Sequence, residues 1–160
     1  MAKIERKYLA HYINTAKIGE TAAQYERLGK DLEEFSPELS AQVDTKKNIL
    51  GENSVVISGY EKTGAVEPYF AESGDPLFEK LQSIIDGDLT LDDCKAAMVE
   101  VKLWDGDGTA YPAIREACFI EVTSYGGDTQ GYQIPFTVHY TGQKEHGTFD
   151  VTTKTFTPQQ

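Results

Sequence analysis

Basic residues are scarce in this 160-residue sequence. Its 15 lysines and arginines are set against 26 aspartates and glutamates, which gives a formal net charge of −11. Proteins that bind DNA through its phosphates need lysine and arginine, so this balance argues against a DNA-binding protein. An acidic surface repels a polyanion and also keeps a soluble protein soluble.

Cysteines and long apolar runs are also few. Cys94 and Cys118 are the two cysteines, and neither belongs to a Cys-x-x-Cys or Cys/His pattern. No stretch approaches the roughly 20 apolar residues of a membrane span, and the charged start leads into no apolar segment typical of a secretion signal. We therefore expect synthesis in a cytoplasm, reduced thiols and no membrane partner.

Signatures of catalysis are missing as well. The sequence has three histidines and contains no Gly-x-Ser-x-Gly, phosphate-binding glycine loop or His-Glu-x-x-His motif. Cys118 could be paired with His139 as a nucleophile, but Cys118 lies beside Phe119 in an apolar stretch typical of a buried, inert thiol. The expectation is a protein that is not an enzyme and has no cofactor.

One acidic pattern partly matches a calcium-binding loop. Its oxygen-bearing members fall at positions 1, 3, 5 and 12: Asp105, Asp107, Thr109 and Glu116. Position 6 of such a loop requires glycine for a sharp turn, and here it is Ala110, with Pro112 two residues later. We therefore prefer a Gly/Asp turn between strands and expect no metal site.

Most of the chain shows the alternation and β-branched content of strands, with glycine-rich turns between them. Pro135 cannot donate to a strand ladder, so the strand that contains it is predicted at an edge or a bulge. The pattern predicts a mainly β fold, an antiparallel β-sandwich or barrel, as one domain over residues 1–160. The predicted strands are Tyr8–Ile13, Gln24–Leu28, Met98–Trp104, Ala117–Tyr125, Tyr132–Tyr140 and two short strands within His146–Phe156.

A single helix is predicted over about residues 76–86. Asp75 is a suitable N-cap, Pro76 suits the first helical position, and Gly87 follows the last apolar residue. Its apolar residues fall on one face, which would pack on the sheet: Leu77, Phe78, Leu81, Ile84 and Ile85.

Residues 39–60 predict a long hairpin. Apolar and polar residues alternate over Leu39–Asp44, as in a half-buried strand, and Val55–Tyr60 is a second β-branched strand. The polar segment Asp44–Asn53 between them is the predicted tip. Because isolated two-stranded ribbons are only marginally stable, a projecting hairpin needs a partner surface.

The order of these features resembles the major tail tube protein of long-tailed phages and prophages, particularly those of Gram-positive hosts. Related tubes occur in contractile tails and in type VI secretion. The stretch Gly-Asp-Pro-Leu-Phe before the helix is the most specific part of the likeness. The resemblance is carried by Tyr8–Ile13, Arg27–Phe35, Leu39–Tyr60, Phe70–Phe78 and the Gly/Thr-rich end.

The resemblance implies a virion protein that assembles with itself into hexameric rings, stacked into a tube through which DNA is ejected. It also implies partners in the tail tip, tape measure and terminator proteins, and a hairpin, here Ser40–Ile57, that bridges adjacent rings. The inter-ring contact candidates are Asp44, Lys46, Lys47, Asn48, Glu52 and Asn53.

Two alternatives remain open at this point. One is another β-rich tail or secretion-tube component. The other is a soluble ligand-binding β-barrel, or an enzyme, which would show a deep pocket with convergent polar groups.

Overall fold

The computed structural model describes residues 2–17, 20–106 and 108–159. Within these ranges the chain forms eleven strands, one α-helix and two short 3-10 helices at Arg6–Tyr8 and Leu91–Cys94. The α-helix, α1, spans Pro76–Gly87. The strands are β1 Leu9–Asn14, β2 Tyr25–Arg27, β3 Ala41–Lys47, β4 Asn53–Tyr60, β5 Thr63–Val66, β6 Lys95–Lys102, β7 Ala110–Val122, β8 Gly126–Asp128, β9 Gly131–Gln133, β10 Phe136–Asp150 and β11 Thr155–Pro158.

Seven of these strands form one antiparallel sheet. Its order is β11-β10-β7-β6-β1-β2, and β5 pairs with β10 on the same side as β11. Two separate two-stranded ribbons, β3–β4 and β8–β9, complete the strands. The prediction of a mainly β, antiparallel fold is therefore confirmed.

One face of the sheet carries the larger core and is covered by α1. The helix places Leu77, Leu81 and Ile84 against this face, as its apolar spacing predicts. Burying such side chains contributes about 1.5–3 kcal/mol each. The sheet side of this core consists of Ile13, Val66, Ala96, Met98, Cys118, Ile120, Phe136 and Val138.

The sheet curls around its opposite face, so that β2 and β10 come close to each other. Tyr25 in β2 and Phe149 in β10 lie four strands apart, which is about 19 Å in a flat sheet, yet their ring centroids are 5.9 Å apart. Lys154, beyond the end of β10, also forms a 3.2 Å ion pair with Glu26 in β2. The curl closes the sheet toward a barrel, as the predicted fold class requires.

The predicted helix is confirmed to within one residue. Asp75 is its N-cap and accepts a hydrogen bond from the Leu77 amide at 3.1 Å. The left-handed residue that ends the helix is Asp88, with φ of 47°, while Gly87 is the last helical residue. Asp tolerates this conformation better than most residues because its short side chain bonds locally.

The strand that follows Pro135 differs from the prediction. Instead of ending at Tyr140, β10 continues to Asp150, and Gly142 (φ 88°) forms a bulge inside it. Of the predicted alternatives, an edge or a bulge, the strand is not an edge, because β10 pairs with β7 on one side and with β5 and β11 on the other, and it does contain a bulge, although seven residues after Pro135. Pro135 lies just before the strand, where no ladder donor is needed.

Both cysteines are free, and Cys118 is buried, as its apolar surroundings predict. Burial raises the pKa of the Cys118 thiol to about 12. His139 pairs with Phe119 in the β10–β7 ladder, so its side chain lies on the face opposite Cys118. Over the described residues, no helix is long and apolar enough to cross a membrane.

Candidate assembly surface

The β3–β4 ribbon is exposed along its whole length. Every residue of both strands is exposed except Gly59, which is half-buried. The sequence alternation predicts a half-buried β3, and that prediction is wrong because all seven residues of β3, on both of its faces, are exposed.

One face of the ribbon is mostly β-branched, with the Lys47–Asn53 pair at its tip end. Val43 pairs with Ile57 and Thr45 pairs with Val55, so these four side chains share a face. Val43, Ile57 and Val55 are 54%, 55% and 64% exposed. In the isolated chain these apolar side chains are therefore exposed to water, although their burial would stabilise a protein.

The opposite face of the ribbon carries charge. Asp44 pairs with Val56, and Lys46 pairs with Ser54, on this face. An acid and a base two residues apart can each pair with an opposite charge on a partner surface. They therefore favour one alignment of the ribbon on that surface over others. The ribbon therefore combines an apolar face with a polar face that can select a register.

The tip is shorter than predicted. The strands extend through Lys47 and resume at Asn53, so Asp44, Lys46, Lys47 and Asn53 lie in strands. The Asn48 side-chain oxygen accepts from the amides of Leu50 and Glu52, which builds the five-residue turn. Ile49 and Leu50 project from that turn with exposures of 102% and 77%.

Short main-chain contacts fix the base of the ribbon to the molecule. Glu38 and Thr63 exchange two main-chain hydrogen bonds of 2.7 and 3.0 Å. In addition, the Gln42 side-chain Nε2 donates to the Glu61 carboxylate at 2.7 Å. These bonds bracket the two strands, so the ribbon projects from a defined base.

A buried ion pair lies directly behind that base. Lys62 donates to Glu116 at 3.2 Å, and both side chains are largely shielded from solvent. The other Glu116 oxygen accepts from the Gly142 amide at 3.0 Å, and the Lys62 ammonium lies 4.4 Å from the centre of the Tyr140 ring. This network joins the chain just after β4 to the bulge of β10.

Sequence reasoning missed this network and the apolar part of the surface. The exposed Val43, Val55 and Ile57 were detectable, because a ribbon predicted to project has no layer to bury them. Nothing in the sequence pairs Lys62 with Glu116, which lie 54 residues apart.

The described residues of the calcium-like pattern lie in different parts of the fold. Glu116 lies inside β7, and its carboxylate is occupied by Lys62 and Gly142. Asp105 lies in the exposed turn before β7, and Asp107 lies outside the described residues. In the part of the chain that the structure describes, no group of three or more His, Cys, Asp or Glu side chains could hold a metal ion.

The sequence matches no protein-family model and no curated protein. The fold is similar to that of the SPP1 phage tail tube, a structure obtained by combining solid-state NMR and cryo-electron microscopy. The similarity has a TM-score of 0.58 and covers 90% of this chain and 78% of the SPP1 chain. Sequence identity is 12%, so the likeness concerns the fold.

Proposed function

We propose that this chain is the structural subunit of a phage tail tube and assembles with copies of itself into stacked hexameric rings. The observation that carries the proposal is the exposed β3–β4 ribbon, whose apolar face has no cover in the single chain. The similarity to the SPP1 tail tube fold supports the same role. A second copy would cover the ribbon and remove its open strand edges.

In this proposal DNA passes through the tube during ejection. The net charge of −11 supports that role, because an acidic wall repels phosphates and lets DNA slide. The subunit would be made in the cytoplasm of a bacterial host, a Gram-positive one by the resemblance, and would reside in the virion tail. Tail tip, tape measure and terminator proteins would be its other partners.

Assembly can be tested with substitutions on the apolar face of the ribbon. Val55→Thr/Ile57→Thr keeps β-branched side chains but makes that face polar. Tyr125→Thr is the matched control, since Tyr125 is 63% exposed and lies outside the ribbon. Light scattering after size exclusion, together with negative-stain microscopy over a range of concentrations, gives the readout.

We expect rings or tubes from the wild type and the control, and monomers from the ribbon variant with an unchanged urea midpoint. Deleting Asp44–Asn53 should weaken ring stacking in the same assay. A wild type that stays monomeric at every concentration, and also fails to polymerise on an isolated tail-tip complex, would refute the proposal.

A further inference from the structure

A cavity of about 460 Å³ lies where β1 begins, between that strand and the segment after β2. Four basic side chains line it, and Glu33 is the one acidic residue among its described lining. Lys7 and Lys30 form ion pairs with Glu5 and Glu72 at 3.1 and 2.7 Å, which leaves the two arginines. We call this cavity the basic pocket; its cationic residues are Arg6, Lys7, Arg27 and Lys30.

The two arginines of the basic pocket have no anionic partner of their own. Arg6 donates to the main-chain oxygens of Leu9 and Phe35, and Arg27 donates to that of Lys7. Main-chain carbonyls satisfy the donors without neutralising the charge. Among the described residues, no carboxylate forms a salt bridge with either guanidinium.

The floor of the basic pocket has an unsatisfied polar atom. His11 is 4% exposed and lines the cavity, and its Nε2 atom is buried with no hydrogen-bond partner in the described structure. Buried polar atoms in folded proteins nearly always have partners, so this nitrogen is an exception. The walls beside it are apolar and consist of Leu9, Leu28, Leu32 and Phe35.

The complementary surface lies at the C-terminal end of α1. Asp86 is in the last turn of the helix, and that turn has no basic residue. Acidic side chains are unfavourable there, because the helix dipole is negative at this end. Leu91, 84% exposed, projects from the following 3-10 helix. We call this segment the acidic turn; it comprises Asp86, Asp88, Leu91, Asp92 and Asp93.

The basic pocket and the acidic turn lie at opposite ends of the β1–β6 pair. Leu9 pairs with Lys102 at the pocket end, and the acidic turn leads into Lys95 at the start of β6. Seven residue steps separate these ends, which is about 24 Å along a strand. The two patches therefore cannot meet within one copy. Two different patches on one chain are what a head-to-tail contact between copies requires.

We propose that the acidic turn of one copy docks into the basic pocket of the next. Leu91 packs on the apolar walls, and the carboxylates pair with Arg6 and Arg27. This inference rests on the proposed function, since it names a second contact that a tube subunit uses besides its ribbon. It gives Arg6 and Arg27 the anionic partners that they lack among the described residues of one copy.

Charge reversal of the full-length chain tests the contact. Arg27→Glu/Lys30→Glu reverses part of the pocket, and Asp86→Lys/Asp93→Lys reverses part of the turn while favouring the helix end. Lys144→Gln is the control, because Lys144 is exposed on β10 and belongs to neither patch, and glutamine adds no acid opposite Glu116. Each double variant should raise the concentration needed for assembly at least about tenfold. A mixture of the two double variants should assemble at a lower concentration than either alone.

Cross-linking gives a second, direct measurement. Assemblies of mixed ¹⁴N and ¹⁵N wild-type chains, treated with a carbodiimide, should yield intermolecular peptides that join Lys7 or Lys30 to the acidic turn. Circular dichroism and urea midpoints establish that each variant is folded, and Arg27→Gln replaces the pocket variant if it is not.

The outcomes separate the two proposals. If the wild type forms tubes and the double variants assemble at the same concentration, the docking contact is wrong but the tube proposal is not. Wild-type tubes that yield no cross-links between the two patches lead to the same conclusion. Double variants that are not rescued by mixing would also overturn the docking contact. A wild type that assembles under no condition, including on a tail-tip complex, overturns both.

Discussion

At the scale of single residues, two buried polar groups differ in whether they have hydrogen-bond partners. Glu116 has a partner for each carboxylate oxygen, in Lys62 and the Gly142 amide. His11 has a buried Nε2 with none in the described structure. A buried ion pair with all its hydrogen bonds made holds its two side chains in place. Removing one of the two leaves the other charge buried without a partner, which is destabilising.

The Lys62–Glu116 pair leads to a stability prediction. Lys62→Met leaves the Glu116 carboxylate buried without its cation, so we expect the free energy of unfolding to fall by about 3–5 kcal/mol. Lys62→Met/Glu116→Gln removes the stranded charge and keeps an acceptor for the Gly142 amide, so it should recover much of that loss. Urea denaturation measures both variants, and a double variant no more stable than Lys62→Met would contradict the prediction.

His11 leads to a prediction of pH dependence. Burial, reinforced by Arg6, Lys62 and Arg27, lowers the pKa of His11 from 6.5 to about 4. Protonation therefore favours the unfolded chain, so the contribution of His11 to stability is complete above about pH 6.5 and is lost toward pH 4.

The measurement compares wild type and His11→Gln by urea denaturation at pH 7 and pH 4.5. The wild type should lose roughly 2 kcal/mol more than the variant between these two pH values, at about 1.4 kcal/mol per pKa unit. The comparison cancels the titration of carboxylates that the two proteins share. Equal losses would mean that His11 titrates normally in the fold.

At the scale of elements, α1 begins at a cap that also joins it to the preceding loop. Asp75 accepts from the Leu77 amide and from the Tyr69 hydroxyl, the latter at 2.5 Å. Burial and this hydrogen bond raise the pKa of Tyr69. The helix start and the approach of the chain are thus fixed by one carboxylate.

Asp75→Ala should lower the free energy of unfolding by about 1–2 kcal/mol through loss of the cap. A further loss should come from the Tyr69 hydroxyl, which remains half-buried without its acceptor. Asp75→Asn is the matched control, since asparagine also caps helices. If alanine and asparagine variants unfold at the same denaturant concentration, the cap contributes nothing.

At the scale of the whole molecule, aromatic contacts hold the curl of the sheet. Phe149 is fully buried and lies 4.4 Å from the Tyr12 ring centroid and 5.9 Å from that of Tyr25. It thereby joins β10 to β1 and β2 across the concave face. The bulge at Gly142 bends the same strand and increases its twist.

Phe149→Ala should therefore lower the free energy of unfolding by about 3–5 kcal/mol, because it opens a cavity where the sheet edges meet. Phe149→Leu, which keeps most of the volume, should lose less than half as much. Thermal and urea unfolding provide the readout. Similar losses in the two variants would indicate that the site collapses around the cavity and that the ring does not hold the curl.

The sequence by itself determined the elements whose signals are local. Asp75 and Pro76 start the helix, its 3.6-residue spacing faces the core, and the run Val55–Tyr60 forms a strand after a polar turn. Caps, turns and periodicity act within a few residues, so they can be recognised without the rest of the chain. The mainly β class follows from the number of such strands.

Only the tertiary structure decided which faces are covered and which distant residues meet. The alternation of Leu39–Asp44 is the same whether a strand is buried or bare, and the fold leaves β3 bare. Thr141, Gly142 and Gln143 look like a turn in sequence, but pairing with β7 carries β10 past them as a bulge. The Lys62–Glu116 pair and the contact between Tyr25 and Phe149 depend on long-range packing, which no local pattern encodes.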